Sequence, residues 1–254
     1  MRPIVVTSQN CGPTQIGPGS SSAPNPPNTS GTYDFAPSMG EAVLYAFGQC
    51  GVRRTALTQQ HFEDSRMAAN LMQAAWSARG VNLWAVDLQC VPLVQGCATY
   101  QVPSNTIVML DMYIGFNNGV GETDRLILPV SRTEYASYTN KEQQGFPTVA
   151  WFDRLLAPQV TLWPVPNGQQ SVLKYYRLRQ SQDSVLANGQ QVELPVYLLE
   201  AFCLGLAARL AIIWAPDRAP GLKVLADEAY NVGIAQNVET SAVYISPSMG
   251  GYFR

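Results

Sequence analysis

Charged side chains are scarce in this chain. Only 13% of its 254 residues are Asp, Glu, Lys or Arg, about half the share usual in soluble domains. With 16 Lys and Arg against 18 Asp and Glu, the formal net charge is -2, so no strong global field draws the chain to nucleic acid or anionic lipid. Histidine is rarer still, with His61 alone, and a catalytic or metal site built on convergent His, Cys, Asp and Glu is short of members. The five cysteines (Cys11, Cys50, Cys90, Cys97, Cys203) are odd in number, scattered and without Cys-x-x-Cys spacing. They suggest neither a disulfide framework nor a zinc knuckle. Cys90 and Cys97 could face each other across a short turn, but reduced thiols are the simpler expectation. No uncharged apolar run reaches the roughly 18 residues that span a bilayer, and the apolar stretch near Met1 is too short for a signal peptide. The expectation is synthesis in the host cytoplasm without a membrane partner.

What takes the place of charge is neutral polarity. Gln59-Gln60, Gln143-Gln144, Gln169-Gln170 and Gln190-Gln191 join many Asn, Ser and Tyr residues. Such a surface resembles an interface rim, where strongly hydrated ions are costly to bury. A mild compositional bias of the host is the other reading. At 46% hydrophobic residues the chain is long and apolar enough for one large or two small cores.

Four regions follow from the pattern. Residues 1–37 read as an extended arm rich in Pro, Gly and Ser, because runs such as Pro24-Asn25-Pro26-Pro27 bury too little to offset ordering entropy. The arm is ordered where it lies on something else, or is a plain disordered tail. Residues 38–80 and 194–237 read as a helical bundle of two N-terminal and two C-terminal helices. Ser38 with Glu41 has capping-box spacing, Gly51 stops the first helix, and Thr58 starts the second. Met67, Leu71, Ala74, Ala75 and Ala78 recur at helical spacing as its expected buried stripe. Val196 to Trp214 is nearly all apolar, and Leu222, Leu225, Ala226, Ala229, Tyr230 and Gly233 mark the inward stripe of a last helix. Residues 81–193 read as an inserted antiparallel β domain. Asn117-Asn118-Gly119 and Asn167-Gly168 suit hairpin turns, and Pro164 should end the strand that contains it. Residues 238–254 read as a C-terminal docking tail. Its Tyr244, Ile245, Tyr252 and Phe253 have no periodic place in the last helix, so they dock on another chain or fray. The fold class expected is therefore α+β.

The candidates for chemistry are few. His61, beside Glu63 and Asp64, reads as part of a solvated helix face rather than a general base. Cys50 with His61 is the one conceivable nucleophile pair, without an orienting third residue. Gly119-Val120-Gly121 lacks the third glycine of a dinucleotide motif and the Lys-Ser/Thr end of a phosphate loop. Arg177 and Arg179, beside Tyr175 and Tyr176, could stack single-stranded nucleic acid, but no basic stripe accompanies them, and a satisfied β-edge of aromatics and arginines is the plainer reading. No catalytic, cofactor or metal residues are assigned, and no enzyme is expected.

Several phrases in order carry a resemblance. Asp124-Arg125-Leu126 leads to Pro129-Val130-Ser131-Arg132-Thr133-Glu134-Tyr135. Trp151-Phe152-Asp153-Arg154, Leu162-Trp163-Pro164-Val165-Pro166 and Leu173-Lys174-Tyr175-Tyr176-Arg177 follow. Leu204-Gly205-Leu206-Ala207-Ala208-Arg209-Leu210-Ala211 and Ala215-Pro216-Asp217-Arg218 close the set. Over about Gly40 to Asn237 the chain resembles the head-to-tail adaptor (connector) proteins of short-tailed bacteriophages. The resemblance implies a structural virion protein at the head-tail junction, about twelve copies of which form a ring between portal protein and tail nozzle protein, with tail fibres as a lesser candidate partner. Double-stranded DNA would pass through the lumen without sequence-specific binding. Helices would form the ring wall, the β domain would face the tail, and the tail segment, with Tyr244, Ile245, Tyr252, Phe253 and Arg254, would dock on the portal. Another phage tail module, such as a tail-tube or fibre-attachment protein, is the alternative, and a cell-wall hydrolase a more distant one.

Overall fold

A computed structural model describes residues 9–10, 35–80, 82–117, 121–168, 171–186 and 189–238. Among these residues the architecture is α+β, with five α-helices and a large curled sheet. Helix α1 (Met39–Gln49) starts as its sequence predicts: the Ser38 hydroxyl accepts the Glu41 backbone N–H and the Glu41 carboxylate accepts the Ser38 N–H at 2.8 Å. These bonds occupy donors that a helix start would otherwise leave unpaired. Gly51, at φ +81, turns the chain out of the helix. Helix α2 (Gln59–Ser77) is capped at Thr58, and helices α4 (Val196–Trp214) and α5 (Ala219–Ile234) follow the sheet.

α4 is long and apolar enough to cross a membrane by length and composition. Much of its apolar surface nonetheless has protein partners, because Leu198, Phe202, Leu206 and Leu210 are fully buried and α1, α2 and α5 all pack on it, while Ile212 and Ile213 near its end stay exposed. Around α4 one core gathers Val43, Phe47, Met72 and Trp76 from the first two helices and Leu222 and Tyr230 from the last. Where α5 crosses α4, Gly233 lets the backbones approach closely.

The stripe expected to be buried on α2 is not the one buried. Met67, Leu71, Ala74 and Ala78 are exposed, while His61, Ser65, Ala69, Met72, Gln73 and Trp76 face the core. On α5, Leu225 is likewise exposed, whereas Leu222, Ala226, Tyr230 and Gly233 are buried. The reason on α2 is that its rotation is set by His61 and Trp76, whose rings meet aromatic residues of other helices, rather than by its most hydrophobic face.

The strands are β1 (Gln9–Asn10), β2 (Val86–Pro92), β3 (Thr99–Gln101), β4 (Thr106–Asn117), β5 (Glu122–Pro129), β6 (Gln144–Gly145), β7 (Val149–Asp153), β8 (Gln159–Trp163), β9 (Val165–Pro166) and β10 (Ser171–Arg179). Eight of them form one sheet in the order β1-β2-β10-β4-β5-β7-β8-β3. The sheet is not purely antiparallel: β5 pairs parallel with β7, and the separate two-stranded sheet of β6 and β9 is parallel too. The short helix α3 (Arg132–Ser137) lies between β5 and β7 in a connection that brings the chain back to run in the same direction, where a hairpin would have reversed it. Its start was legible, since Ser131 accepts the Glu134 N–H in the Ser-x-x-Glu spacing of a helix cap.

The β4–β5 hairpin forms as expected, with its turn residues 118–120 outside the described set. The second expected hairpin does not form. Asn167-Gly168 leads out of β9 towards β10, but β10 pairs with β2 and β4 while β8 pairs with β7 and β3. Pro164 ends β8 at Trp163, as a residue without an N–H should, and the chain then leaves that part of the sheet. A second core, with Tyr100, Ile114, Ile127, Leu162, Leu173 and Tyr175, fills the curl. At one edge Gln9 and Asn10 pair with Cys90 and Gln89. Cys90 is disulfide-bonded, which corrects the expectation of reduced thiols there, and Cys97 is free, so the two are not joined. Sequence spacing carries no register between strands, and therefore no signal for this bond.

Candidate functional site

The conventional candidates for chemistry are spent on packing. His61 is 7% exposed, so its expected place on a solvated face is wrong. It occupies the third position of α2, where a side chain reaches back to the cap. Its Nδ1 accepts the Thr58 backbone N–H at 3.2 Å and lies 2.7 Å from the Thr58 hydroxyl. The ring stacks on Trp214 with centroids 3.8 Å apart and meets the edge of Phe47. Cys50 donates its thiol to the Ala207 carbonyl at 3.4 Å, and burial pushes its pKa up, against a weaker opposing pull from Arg218. A thiol held in that form is a poor nucleophile. Among the described residues, no group of three or more His, Cys, Asp or Glu is placed to hold a metal ion.

The arginine–tyrosine cluster is also structural, although it is not at an edge. β10 lies between β2 and β4 in the sheet interior. Arg177 grips both carboxylate oxygens of Asp87, at 2.7 and 3.1 Å, and donates to Asn105 and Thr106. Arg179 pairs with Glu193. The Glu193 carboxyl is held below the usual carboxylate range by those hydrogen bonds first, with burial opposing and the Gln182 N–H assisting. A fork of this kind ties two strands and the lead into α4 together, and the Arg177 side chain within it is only 6% exposed.

Open apolar surface lies on the helices and on the sheet. The outward side of α2 carries Met67 and Leu71, 58% and 55% exposed, with Ala74 and Ala78 continuing the line. Beside it, α2, α4 and α5 enclose a groove of about 640 Å3. Met72, Trp76 and Tyr230 supply its apolar walls, and Gly205 lies where Met72 crowds α4. Arg79, Arg209 and Lys223 line it against one acid, Asp227. Arg79 lies over the Tyr230 ring at 4.8 Å. Burial, and after it the like charge of Arg79, hold the Arg209 guanidinium below its ordinary pKa. Among the described residues no carboxylate lies within ion-pair distance of either arginine or of Lys223.

A second groove of about 770 Å3 runs between α1 and the start of α4, with Phe35, Tyr45, Val196 and Leu199 on its walls and Glu41, Glu200 and Arg54 at its borders. Burial, and then Glu200, push the Cys203 thiol on its wall up to about 11. On the sheet, the loop from β7 to β8 holds Leu155 and Leu156 out into solvent, the latter fully exposed. Sequence reading missed the groove between α2, α4 and α5. Its signal was there in Arg209, an ion placed within an apolar helix.

The predicted docking residues Tyr244, Ile245, Tyr252, Phe253 and Arg254 lie outside the described residues. Comparison with known families finds that the family described as SU10 adaptor protein matches residues 51–244. No curated protein matches the chain. The matched span takes in α2, the strands from β2 to β10, α4 and α5, and so the whole lining of the α2/α4/α5 groove.

Proposed function

Since the chain belongs to the SU10 adaptor protein family, a family of structural bacteriophage proteins and so of virion components, we propose that it is a head-to-tail adaptor subunit working by assembly. About twelve copies form a closed ring between portal protein and tail nozzle protein, and double-stranded DNA crosses the lumen without being read. Residues 38–80 and 194–237 form the ring wall, and residues 81–193 face the tail. Residues 238–254 dock on the portal, with Tyr244, Ile245, Tyr252, Phe253 and Arg254 as anchors.

The observation that supports this reading best is the outward apolar line of α2. A chain whose charged content is only 13% and whose helix turns Met67 and Leu71 to solvent is suited to being covered by protein. Closed cyclic symmetry then gives each copy two neighbours. The buried state of His61 and Cys50 fits the same account, in which no side chain is kept for a reaction.

The docking role of the tail is tested by truncation. Deleting Ser241 to Arg254 should leave the melting temperature of the remainder unchanged and abolish retention on portal-bearing heads, because aromatic anchors commonly carry about 2 kcal/mol or more each. Equal retention of truncated and full-length protein would move the portal contact to the helices. Electron microscopy of the full chain with isolated portal should show an added ring, and binding to tails alone would assign it to a tail module instead.

A further inference from the structure

Two of the open surfaces described above, the outward face of α2 and the α2/α4/α5 groove, are complementary. On α2, Met67, Leu71, Ala74 and Ala78 fall at i, i+4, i+7 and i+11, the spacing with which a helix presents one apolar face to a groove. Glu63 and Asp64 stand at the N-terminal end of that face, so it is acidic at one end and apolar along the rest. The α2/α4/α5 groove is the reverse, with Trp76, Met72 and Tyr230 as walls and Arg79, Arg209 and Lys223 against the single Asp227. Arg209 is half-buried, sits near another arginine, and has no carboxylate partner among the described residues. Placing an unpaired cation there is costly unless an anion arrives to pair it.

We propose that the groove receives the outward face of α2 from a second copy of this chain, with Leu71 and Met67 against the aromatic walls and Glu63 and Asp64 facing the basic side. The inference rests on the ring reading and names the contact that builds the ring. An acidic end meeting a basic groove fixes the register of the helix, since reversing it would leave both sets of charges unpaired. DNA is the poorer occupant, because three cations around an apolar pocket do not make the extended basic surface that a duplex requires. The donor face and the receiving groove are different patches of one chain, so the contact is head-to-tail. Each copy uses both, and the chain of contacts closes into a ring if the rotation per copy allows.

Head-to-tail contacts have a signature that a two-fold contact lacks. Let one variant lose the face (Met67→Asp with Leu71→Asp) and another lose the groove (Lys223→Glu with Arg209→Glu). A third, Lys223→Glu alone, changes only an exposed side chain and guards against misfolding. Native mass spectrometry should show higher oligomers for the full-length wild-type chain, in solution or on portal rings, and loss of every species above monomer for each variant alone. An equimolar mixture of the face and groove variants should recover a one-to-one dimer and nothing larger, because one intact face and one intact groove remain between them. If either variant assembles as wild type does, or the mixture stays monomeric, the assigned contact is wrong although ring formation stands. A wild-type chain that never assembles, even on portal, would overturn the ring reading and this inference with it.

Discussion

The crossing of α4 and α5 allows a prediction in which one chemical change has opposite signs at different positions. Replacing a glycine inside a helix by alanine ordinarily stabilises it by roughly 0.5–1 kcal/mol, because the unfolded chain loses freedom. At Gly233 an added methyl would stand 2.6 Å from Leu198 Cδ2 and 2.7 Å from the Tyr197 carbonyl oxygen. The second neighbour is backbone, so relief requires α4 and α5 to separate. Overpacking of this kind costs about 1–3 kcal/mol and outweighs the propensity gain, leaving Gly233→Ala less stable by about 1–2 kcal/mol. At Gly205 the nearest atom is Met72 Sδ at 2.6 Å, the mobile end of a flexible side chain, and the loss should be smaller. At Gly48 in α1 and Gly221 in α5 nothing lies within 4 Å, and alanine should stabilise by up to ~1 kcal/mol. Thermal unfolding followed by helical circular dichroism resolves the order, since 1 kcal/mol moves Tm by about 2–4 °C in a chain of this size. A Tm for Gly233→Ala at or above wild type, with Gly48→Ala and Gly221→Ala raised, would show that the two helices do not cross as closely as described.

Leu206, fully buried in the middle of α4, should cost about 2–5 kcal/mol on change to Ala, and an unchanged Tm would mean that this helix is exposed. Arg177→Met removes both short bonds to Asp87 and leaves it only Arg179 at 3.9 Å; denaturant unfolding should show a loss of about 2–4 kcal/mol, less than for a fully buried pair because Asp87 keeps that second partner and 31% of its side-chain surface in solvent. Glu193, held below its ordinary 4.5 by Arg179, contributes stability that is complete above that value and fades as pH falls through the lower folded-state pKa. The Tm gap between wild type and Glu193→Gln should therefore be widest near neutral pH and shrink in acid, whereas a gap constant from pH 7 to pH 3 would rule out that ion pair as its source.

Several things about this protein were legible in its sequence because they depend on neighbours a few residues apart. Ser38 with Glu41, Thr58, Gly51 and Pro164 each act within one turn of chain, and each does what its local chemistry predicts. The α+β class and the place of α4 in a core follow from period and composition. The resemblance carried by the phrases from Asp124 to Arg218 pointed at the same family that residues 51–244 match.

What tertiary structure decided is which of the available surfaces meet. Periodicity on α2 marked Met67 and Leu71 as inward, since it measures hydrophobicity and not the shape of the site being filled. The helix turns instead to bring His61 onto Trp214 and Trp76 to within 5.0 Å of Tyr230, contacts between residues far apart in the chain. Strand pairing is equally non-local: β10 finds β2 and β4 rather than β8 next door, and Arg177 finds Asp87 across 90 positions. The interface proposed here arises from that same choice, because a helix that gives its polar side to the core must leave its apolar side for another chain.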